Sequence, residues 1–444
     1  MKVRLLNIVQ RLRASLWTIP LVMSVGAAVL ATVTARLDAA GDASRPDWLA
    51  AILYDGDLDG ARVLMSTVAS SMITVAGVAF STTVVALSLA SSQFGPRLLI
   101  GFMRDRGNQF VLGTFVATFL YCLMALRGGD SLVDPVVVPV IGTTVALFLS
   151  VCSLGVFIYF IHHISSSMHA EHVVETVARD LAAAIDRICG GGDDADVGDA
   201  NVGDDDRRVG VAIRSHKDGY IRAIDEAGLV NVAERGDLFL RLRCRAGKFV
   251  VTGDTLAEVL GSDELERDLV RKIRRHILIG RRRTDDQDPE YGIHQLVEVA
   301  LRALSPGVND PYTAITCVDW LGATLTSIGR RGLQKPRRRG ANGVLRLVLD
   351  PITFDGMLSA AFDQIRQNAV RNPAVAIRIL EALDSMGRHL PDSSHRASVR
   401  VQADMTFQGA LSDDLQEKDR LDLTARYRSV VEVLDATTPR DDIV

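Results

Sequence analysis

Aromatic residues make up only 5% of this 444-residue chain, and cysteine occurs five times. The cysteines are odd in number, widely spaced and without a CxxC pair, which argues against a disulfide framework and a structural zinc site. The net charge of −4 gives no support to nucleic-acid binding. The sequence also lacks a Walker A loop, GxSxG, HExxH and kinase signatures, so we expect neither an enzyme nor a cofactor.

Charge is nearly absent from four long stretches, and the mean hydropathy of the chain is +0.18. A membrane-spanning helix needs about 20 mostly apolar residues. The stretches predict a polytopic α-helical membrane protein with four transmembrane helices. A cleaved signal peptide is the alternative for the first stretch, but its apolar run exceeds the usual length of about 7 to 15 residues. The predicted spans are about 14–36, 63–92, 108–126 and 135–161.

The distribution of Lys and Arg predicts the orientation of these spans. Basic residues precede the first span and fill the connection between the second and third. Because basic loops stay in the cytoplasm, we expect cytoplasmic N- and C-termini in a multi-pass protein of the cell inner membrane. The predicted outer loop after the first span is acidic and carries Asp38, Asp42, Asp47, Asp55, Asp57 and Asp59.

The region after the spans is predicted to be a cytoplasmic α+β region. A Gly- and Asp-rich stretch without apolar periodicity indicates a linker, and short alternating runs separated by Gly and Asp turns indicate strands. The predicted divisions are a four-helix transmembrane domain at 1–165, a juxtamembrane helix at 166–190, an acidic linker at 191–208, a small barrel-sandwich-like β module at 209–261 and an α-helical cytoplasmic bundle at 262–437.

Helix starts in the predicted bundle are marked by an acceptor residue followed by proline. Asp or Asn can cap free backbone amides, and proline at the first helical position loses no needed donor. The stretch Val344 to Asp350 is predicted to be an isolated strand between helices. The four predicted starts are Asp288-Pro289, Asp310-Pro311, Asp350-Pro351 and Asn372-Pro373.

Three stretches together resemble one family of bacterial membrane proteins. They are SSQFGPRLL (Ser91 to Leu99), GYI (Gly219 to Ile221) and QDPEYGIHQLVEVALRALSPGVNDPYTA (Gln287 to Ala314). The chain is similar in these stretches to the family called domain of unknown function 2254 (DUF2254). The resemblance implies a four-span membrane protein with a cytoplasmic domain, and it transfers no catalytic residue.

The second span is rich in hydroxyl side chains. They recur seven residues apart from Thr67 to Ser88 and therefore follow one side of the helix, with Met72, Phe80 and Val84 predicted opposite. Two interpretations stay open: close helix packing through small residues, or a hydrated pore lined by several copies of the helix. The pore-facing candidates are Thr67, Ser71, Thr74, Ser81, Ser88 and Ser92.

Gly95 and Pro96 are predicted to end this helix, and Arg97, Arg104 and Arg106 follow. These arginines are expected to contact lipid phosphates, which makes the bilayer and its anionic lipids the expected partners. In a pore they would instead form a cationic inner mouth that favours anions, whereas the acidic outer loop would concentrate cations. The two fields oppose each other, so the sequence predicts no selectivity. Two later basic runs, at 271–283 and 330–339, are interpreted as solvated or lipid-facing surfaces.

Asp55, Asp57, Asp59 and Gly60 imitate the start of a calcium-binding loop. The twelfth position is Ser66, where such a loop needs a bidentate glutamate. We therefore favour an acidic N-terminus that stabilises the dipole of the second helix.

Histidines crowd the end of the fourth span. His162, His169 and His172 are weak metal candidates, because no second motif supplies ligand spacing. The alternative is a set of solvated juxtamembrane histidines, and we assign no metal.

Ser305, Asn309 and Asp310 lie in the turn SPGVNDP between two predicted helices. Every residue there has a structural explanation, since Pro and Gly turn, Asn bends and Asp caps. A ligand-binding loop with Asn309 and Asp310 as oxygen donors is the alternative.

Together these patterns predict a homo-oligomeric channel or permeation pathway lined by the second transmembrane helix and regulated by the cytoplasmic domain. The alternative is a non-conducting membrane sensor or scaffold whose cytoplasmic domain binds a ligand or a protein. A partner nucleic acid is not expected.

Overall fold

The computed structural model is mostly helical and divides into two compact units, Met1–His172 and Val173–Val444. The structure describes residues 17–39, 53–95, 105–128, 138–167, 170–189, 210–261, 264–284, 287–333, 335–411 and 415–436.

The described part of the first unit contains four long helices. They are α1 Thr18–Ala39, α2 Leu58–Phe94, α3 Arg106–Gly128 and α4 Val140–Ser167. All four are long and apolar enough to cross a membrane, which confirms the four predicted spans. α2 has 37 residues, or about 55 Å of helix, so it exceeds a hydrocarbon thickness of about 30 Å.

α3 is the central helix of this unit. It packs against each of the other three helices. Half of the residues in its most apolar stretch are buried, against 17–22% in the other three helices. Gly113 lets α1 approach, because a Cβ there would stand 3.2 Å from the Pro20 Cα. Ala117 and Tyr121 are buried on the same helix. These residues therefore serve close packing between the spanning helices.

The outer surface of the first unit is apolar. Large side chains along α1 and α4 are exposed to the surroundings, where lipid chains can cover them without cost. A water-soluble protein would bury such side chains in its core, so this surface is that of a membrane protein. The exposed residues include Leu21, Val22, Val25, Val29, Phe148, Val151, Leu154 and Ile158.

The second unit combines helices and short strands. Its helices are α5 Ala170–Cys189, α6 Glu226–Arg235, α7 Arg267–Arg275, α8 Pro289–Ala303, α9 Pro311–Arg331, α10 Phe354–Asn368, α11 Pro373–His389, α12 Ser393–Ala410 and α13 Glu417–Asp435. Its strands are β1 Val211–Arg214, β2 Gly219–Ile224, β3 Phe239–Leu242, β4 Phe249–Val250, β5 Thr255–Leu260, β6 Ile277–Gly280, β7 Arg337–Arg339 and β8 Leu345–Val348.

The strands form two sheets, in the orders β1-β5-β3-β8-β7 and β4-β2-β6. The described module differs from a barrel-sandwich fold, because α6 is inserted between β2 and β3 and because β6, β7 and β8 come from beyond residue 261. The prediction of an isolated strand at Val344 to Asp350 is wrong. β8 pairs in parallel with β3, with Leu240 opposite Leu347, and antiparallel with β7. Both leucines are fully buried, so burial in a shared core explains the pairing.

Three of the four predicted Asp/Asn-Pro helix starts are confirmed. α8, α9 and α11 begin at the predicted prolines, each after the predicted cap residue. The start at Asp350-Pro351 is wrong, since α10 begins at Phe354. Thr353 is its cap and accepts a hydrogen bond from the Gly356 amide at 3.1 Å. A threonine hydroxyl oxygen can satisfy a free amide at a helix start, as an aspartate oxygen can.

Candidate functional site

α2 has two different faces. One face packs against α3 and α4, and its buried residues are alanines, methionines and one valine: Ala61, Met65, Val68, Ala69, Met72, Ala76, Ala79 and Ala86. The hydroxyl face lies on the opposite side of the helix. All six pore-facing candidates are described and exposed: Thr67, Ser71, Thr74, Ser81, Ser88 and Ser92.

The predicted opposite face is confirmed only in part. Met72 is buried there, but Phe80 and Val84 are about half exposed and flank the hydroxyl face. Val78 and Val85 interrupt the hydroxyl face and are also exposed. Packing within the described chain therefore uses small apolar side chains, while the hydroxyls face away from it.

The hydroxyls are partly satisfied by their own helix. The Thr67 and Thr74 hydroxyls donate to the Val63 and Ser70 carbonyls, at 2.7 and 2.8 Å. A hydroxyl bonded in this way keeps its lone pairs for another donor or for an ion. An open groove of about 600 Å³ runs along this part of α2 and is lined by Ser66, Thr67, Ser70, Ser71, Thr74 and Val75.

Of the predicted inner-mouth arginines, Arg97 and Arg104 lie outside the described residues. Arg106 is the first residue of α3 and is exposed. α2 ends at Phe94, and Gly95 has a φ of 106°, which suits glycine and supports the predicted helix end.

An aspartate and a histidine that sequence reasoning did not pair connect α3 to α4. Asp105 Oδ1 accepts the Gly107 amide at 2.9 Å, and its Oδ2 lies 2.5 Å from His163 Nε2. The His163 ring stacks on Tyr159 with the ring centres 5.3 Å apart. Gly107 gives the ring space, since a Cβ there would be 2.7 Å from Nε2. The pair joins the start of one spanning helix to the end of another.

The metal candidates do not form a described cluster. His162 and His172 are exposed, and His169 lies outside the described residues. Within the described ranges, no group of three His, Cys, Asp or Glu side chains is arranged to hold a metal ion.

Asp38 is placed differently from the prediction. It lies in the last turn of α1 and is 5% exposed, not in an outer loop. Its two carboxylate oxygens accept the Ile141 and Gly142 amides of α4 at 2.8 and 3.0 Å. Buried Tyr121 completes the cluster, donating to the Gly142 carbonyl at 3.0 Å. A carboxylate from one helix thus caps the N-terminus of another. This contact was not predictable from residue spacing, because the two helices are far apart in the sequence.

The acidic motif before α2 has a capping role. Asp57 Oδ1 accepts the Gly60 amide at 2.9 Å, and Asp59 lies in the first helical turn. This geometry supports the predicted stabilisation of the helix dipole.

In the loop between α8 and α9, Asn309 and Asp310 have the turn and capping roles that the sequence predicts. Asn309 has a φ of 50°, a left-handed conformation that Asn tolerates. Asp310 caps α9, with Oδ1 accepting the Thr313 amide at 3.1 Å and Oδ2 accepting its hydroxyl at 2.5 Å. Ser305 Oγ donates to the Arg302 carbonyl at 2.6 Å. The three candidate ligands are therefore together in one loop, and Asp310 already uses both oxygens.

A buried ionic cluster links the sheets to the start of α8. Asp288 is 2% exposed, and Arg283 donates to its Oδ2 through Nε at 2.8 Å. Arg245 pairs with Glu290 at 2.6 Å. Gly247, with a φ of 86°, leaves space for Asp288. The sequence reasoning assigned Asp288 only as a cap, whereas its side chain makes no capping bond.

Burial dominates the electrostatics of this cluster. Loss of hydration raises the pKa of Asp288 above its ordinary value, although the Arg283 guanidinium opposes the shift. Arg283 also lies over the Tyr291 ring, 5.9 Å from its centre. The cluster is compensated internally, so it serves to fix α8 against the sheets.

The comparisons with known proteins agree with this architecture. The family model described as a predicted membrane protein (DUF2254) matches residues 13–385. Proteins of Mycobacterium bovis and Mycobacterium tuberculosis, each described as uncharacterized, are 32% identical to this chain over 394 residues. The aligned region covers 86% of this chain and 74% of each relative. No solved structure matches the chain.

Proposed function

The chain belongs to the DUF2254 family of predicted membrane proteins, and from that premise we propose that it assembles as a homo-oligomer. In this assembly α2 of each copy lines a permeation pathway through the inner membrane. We propose no catalytic step, and the second unit regulates the pathway from the cytoplasm.

The two faces of α2 are the observation that supports this proposal. Four spans packed only for stability could use the small hydroxyl residues between helices, because Ser and Thr allow close approach. α2 uses alanine and methionine for that contact and leaves Thr74 and Ser81 exposed. In a membrane such hydroxyls gain most from contact with water or with another copy.

The proposed orientation rests on charge. Lys2, Arg4, Arg11 and Arg13 precede α1, and Arg106 begins α3. Helices of alternating direction place the start of α1, the start of α3 and the end of α4 on one side. Basic flanks favour the cytoplasm for that side.

Flux measurements in proteoliposomes test the pathway. Wild-type protein is expected to carry ions, and Thr74→Leu and Ser81→Leu are each expected to lower the flux about tenfold, since Leu blocks and dries the lining. Val84→Leu, on the flank of the same helix, is the matched control and should conduct normally. Silent wild-type bilayers together with a monomer by mass measurement in micelles would exclude the proposal.

A sensor or scaffold is the second candidate. Val308 and Tyr312, beside the α8–α9 loop, are 50% and 79% exposed, which is unusual for large side chains and favours a binding surface. This candidate predicts that a metabolite panel contains a compound that raises the melting temperature of the full chain. Asn309→Ala and Tyr312→Ala should abolish that shift, and a panel without effect would count against it.

A further inference from the structure

A strongly basic surface lies where α9 ends and the β7–β8 hairpin begins. Six of the ten residues from 330 to 339 are Arg or Lys. Two of these have acidic partners: Arg331 contacts Asp186 of α5, and Arg338 pairs with Glu226 of α6 at 2.7 Å. β7 is an edge strand, so this surface has no neighbouring strand on one side in the described sheet.

The other four basic residues are uncompensated. Among the residues that the structure describes, none of the four forms an ion pair. Acidic side chains near the hairpin are already engaged, since Glu234 accepts the Ala341 amide at 2.6 Å and Asp237 pairs with Arg346 at 2.8 Å. We call these four residues, Arg330, Lys335, Arg337 and Arg339, the hairpin basic surface.

The chain itself carries an acidic segment that follows α5 in sequence, and α5 contacts this surface. Residues 193–206 contain seven aspartates and no Lys or Arg. α5 ends at Cys189, and Asp186 in its last turn contacts Arg331. Asp193 follows four residues later, and four extended residues reach about 13 Å. The point where the acidic segment is attached, the end of α5, therefore lies next to the start of the basic surface.

We propose that segment 193–206 binds the hairpin basic surface within the same chain. The segment supplies seven negative charges to four uncompensated positive ones, and attachment at Cys189 gives an effective concentration of about millimolar. The competing basic surface is α7, which lies near the other end of the segment, because Arg274 donates to the Arg214 carbonyl of β1 at 2.8 Å. α7 has an acidic partner of its own, since Asp268 pairs with Lys272 at 3.1 Å.

Carbodiimide crosslinking of the full chain in detergent micelles tests this contact. The reagent joins a carboxylate to a lysine amine, and the chain has only six lysines, with Lys335 on the hairpin and Lys272 on α7. At low salt, peptide mapping is expected to find the aspartates of segment 193–206 crosslinked mainly to Lys335. The yield should fall about fivefold at about 1 M salt, where the screening length is about 3 Å.

A matched pair of variants isolates the surface. Arg330→Gln, Arg337→Gln and Arg339→Gln together keep Lys335 as the reporter and should lower the yield about threefold. Arg271→Gln, Arg275→Gln and Arg281→Gln remove the same charge elsewhere in the unit and should leave it unchanged. The proposal would be overturned by crosslinks mainly to Lys272 or by the absence of crosslinks to Lys335. It would also be overturned by a Lys335 yield that changes neither with salt nor in the first triple variant. Crosslinks between isotopically labelled and unlabelled copies would also overturn it, because they would place the contact between chains.

Discussion

The two units satisfy their buried polar groups in different ways. In the first unit, Asp38 accepts backbone amides, and the Thr118 and Ser153 hydroxyls lie 3.1 Å apart. In the second unit, buried Asp288 is paired with the long side chain of Arg283. Lipid offers no water to an unpaired group, so buried polar groups in the spanning unit are satisfied by backbone amides and short side chains at hydrogen-bonding distance. In the second unit an arginine can reach a buried carboxylate from a partly hydrated position.

The surfaces of the two units differ in the same sense. The spanning helices present many valine, leucine and phenylalanine side chains outward and bury many alanines. The second unit buries leucine, isoleucine and valine and exposes many ion pairs, such as Arg388 with Asp384. Small residues let spanning helices approach closely where no hydrophobic effect drives them together. Single substitutions in each unit test this contrast.

Arg283→Ala is expected to have the largest effect. It leaves the Asp288 carboxylate buried without its partner, and such a change costs about 3–5 kcal/mol. Chemical unfolding of the full chain in micelles, followed by circular dichroism, measures the loss. Arg281→Ala and Arg282→Ala alter exposed neighbours and should change stability by less than about 0.5 kcal/mol. A comparable loss of stability in those controls would show that any arginine of this basic stretch contributes equally, whether or not it contacts the buried carboxylate.

Asp38→Ala is the corresponding change in the spanning unit. Two amides at the start of α4 lose their acceptor, and an unpaired buried donor costs about 1–3 kcal/mol. Asp38→Asn retains one acceptor oxygen and should lose less. Asp55→Ala removes an exposed carboxylate and is the control. Thermal unfolding of the three variants in micelles ranks them, and equal melting temperatures for Asp38→Ala and Asp55→Ala would contradict the capping role.

Gly113→Val tests close packing between α1 and α3. The added atoms meet Pro20 and Met23, and overpacking of this kind costs about 1–3 kcal/mol. Gly155→Val makes the same change in α4, where nothing lies within 4 Å of an added Cβ. Thermal unfolding of both variants should separate them clearly. Equal stability would mean that the helices can move apart without loss.

Elements that depend on neighbours in sequence were predictable, and those that depend on distant residues were not. The four spans follow from local hydropathy, and the starts of α8 and α9 follow from adjacent residues. Asp38 was assigned to a loop because its partners are about a hundred residues away in sequence. β8 was predicted to be isolated because its partner β3 precedes it by about as many residues, and because its other partner, β7, is a run of arginines without a strand pattern. The position of the hydroxyl face on α2 was predictable from residue spacing, but only the fold shows that alanine and methionine of α2 pack against α3 and α4 in place of the hydroxyls.

Thr353→Ala should cost about 1 kcal/mol, the usual loss for an N-cap. Asp350→Ala, at the position that the sequence pattern favoured, should cost much less, because the described structure shows no capping bond from it. Denaturant midpoints of the two variants measure the difference. A larger loss for Asp350→Ala would restore the sequence-based helix start.

The smallest effect is a pH dependence in the second unit. Partial burial raises the pKa of Asp225, but hydrogen bonds from the Gly228 amide and from His276 outweigh burial, and the net pKa lies below its ordinary value. An aspartate whose pKa is lower in the folded state stabilises the fold at pH values above its unfolded pKa of about 3.9, and this contribution is lost as the pH falls through the folded value.

Asp225→Asn should therefore lower the unfolding midpoint at about pH 6, and the gap to wild type should close as the pH approaches about 3. Asp355→Asn, exposed in the first turn of α10, controls for the loss of a charge near a helix start. Midpoints measured across this range compare the two variants. A gap for Asp225→Asn that stays constant with pH would mean that the carboxylate acts through shape and not through its charge. In that case the charge of this half-exposed carboxylate would not stabilise the second unit, and the proposed difference between the two units in their use of charged side chains would be weakened.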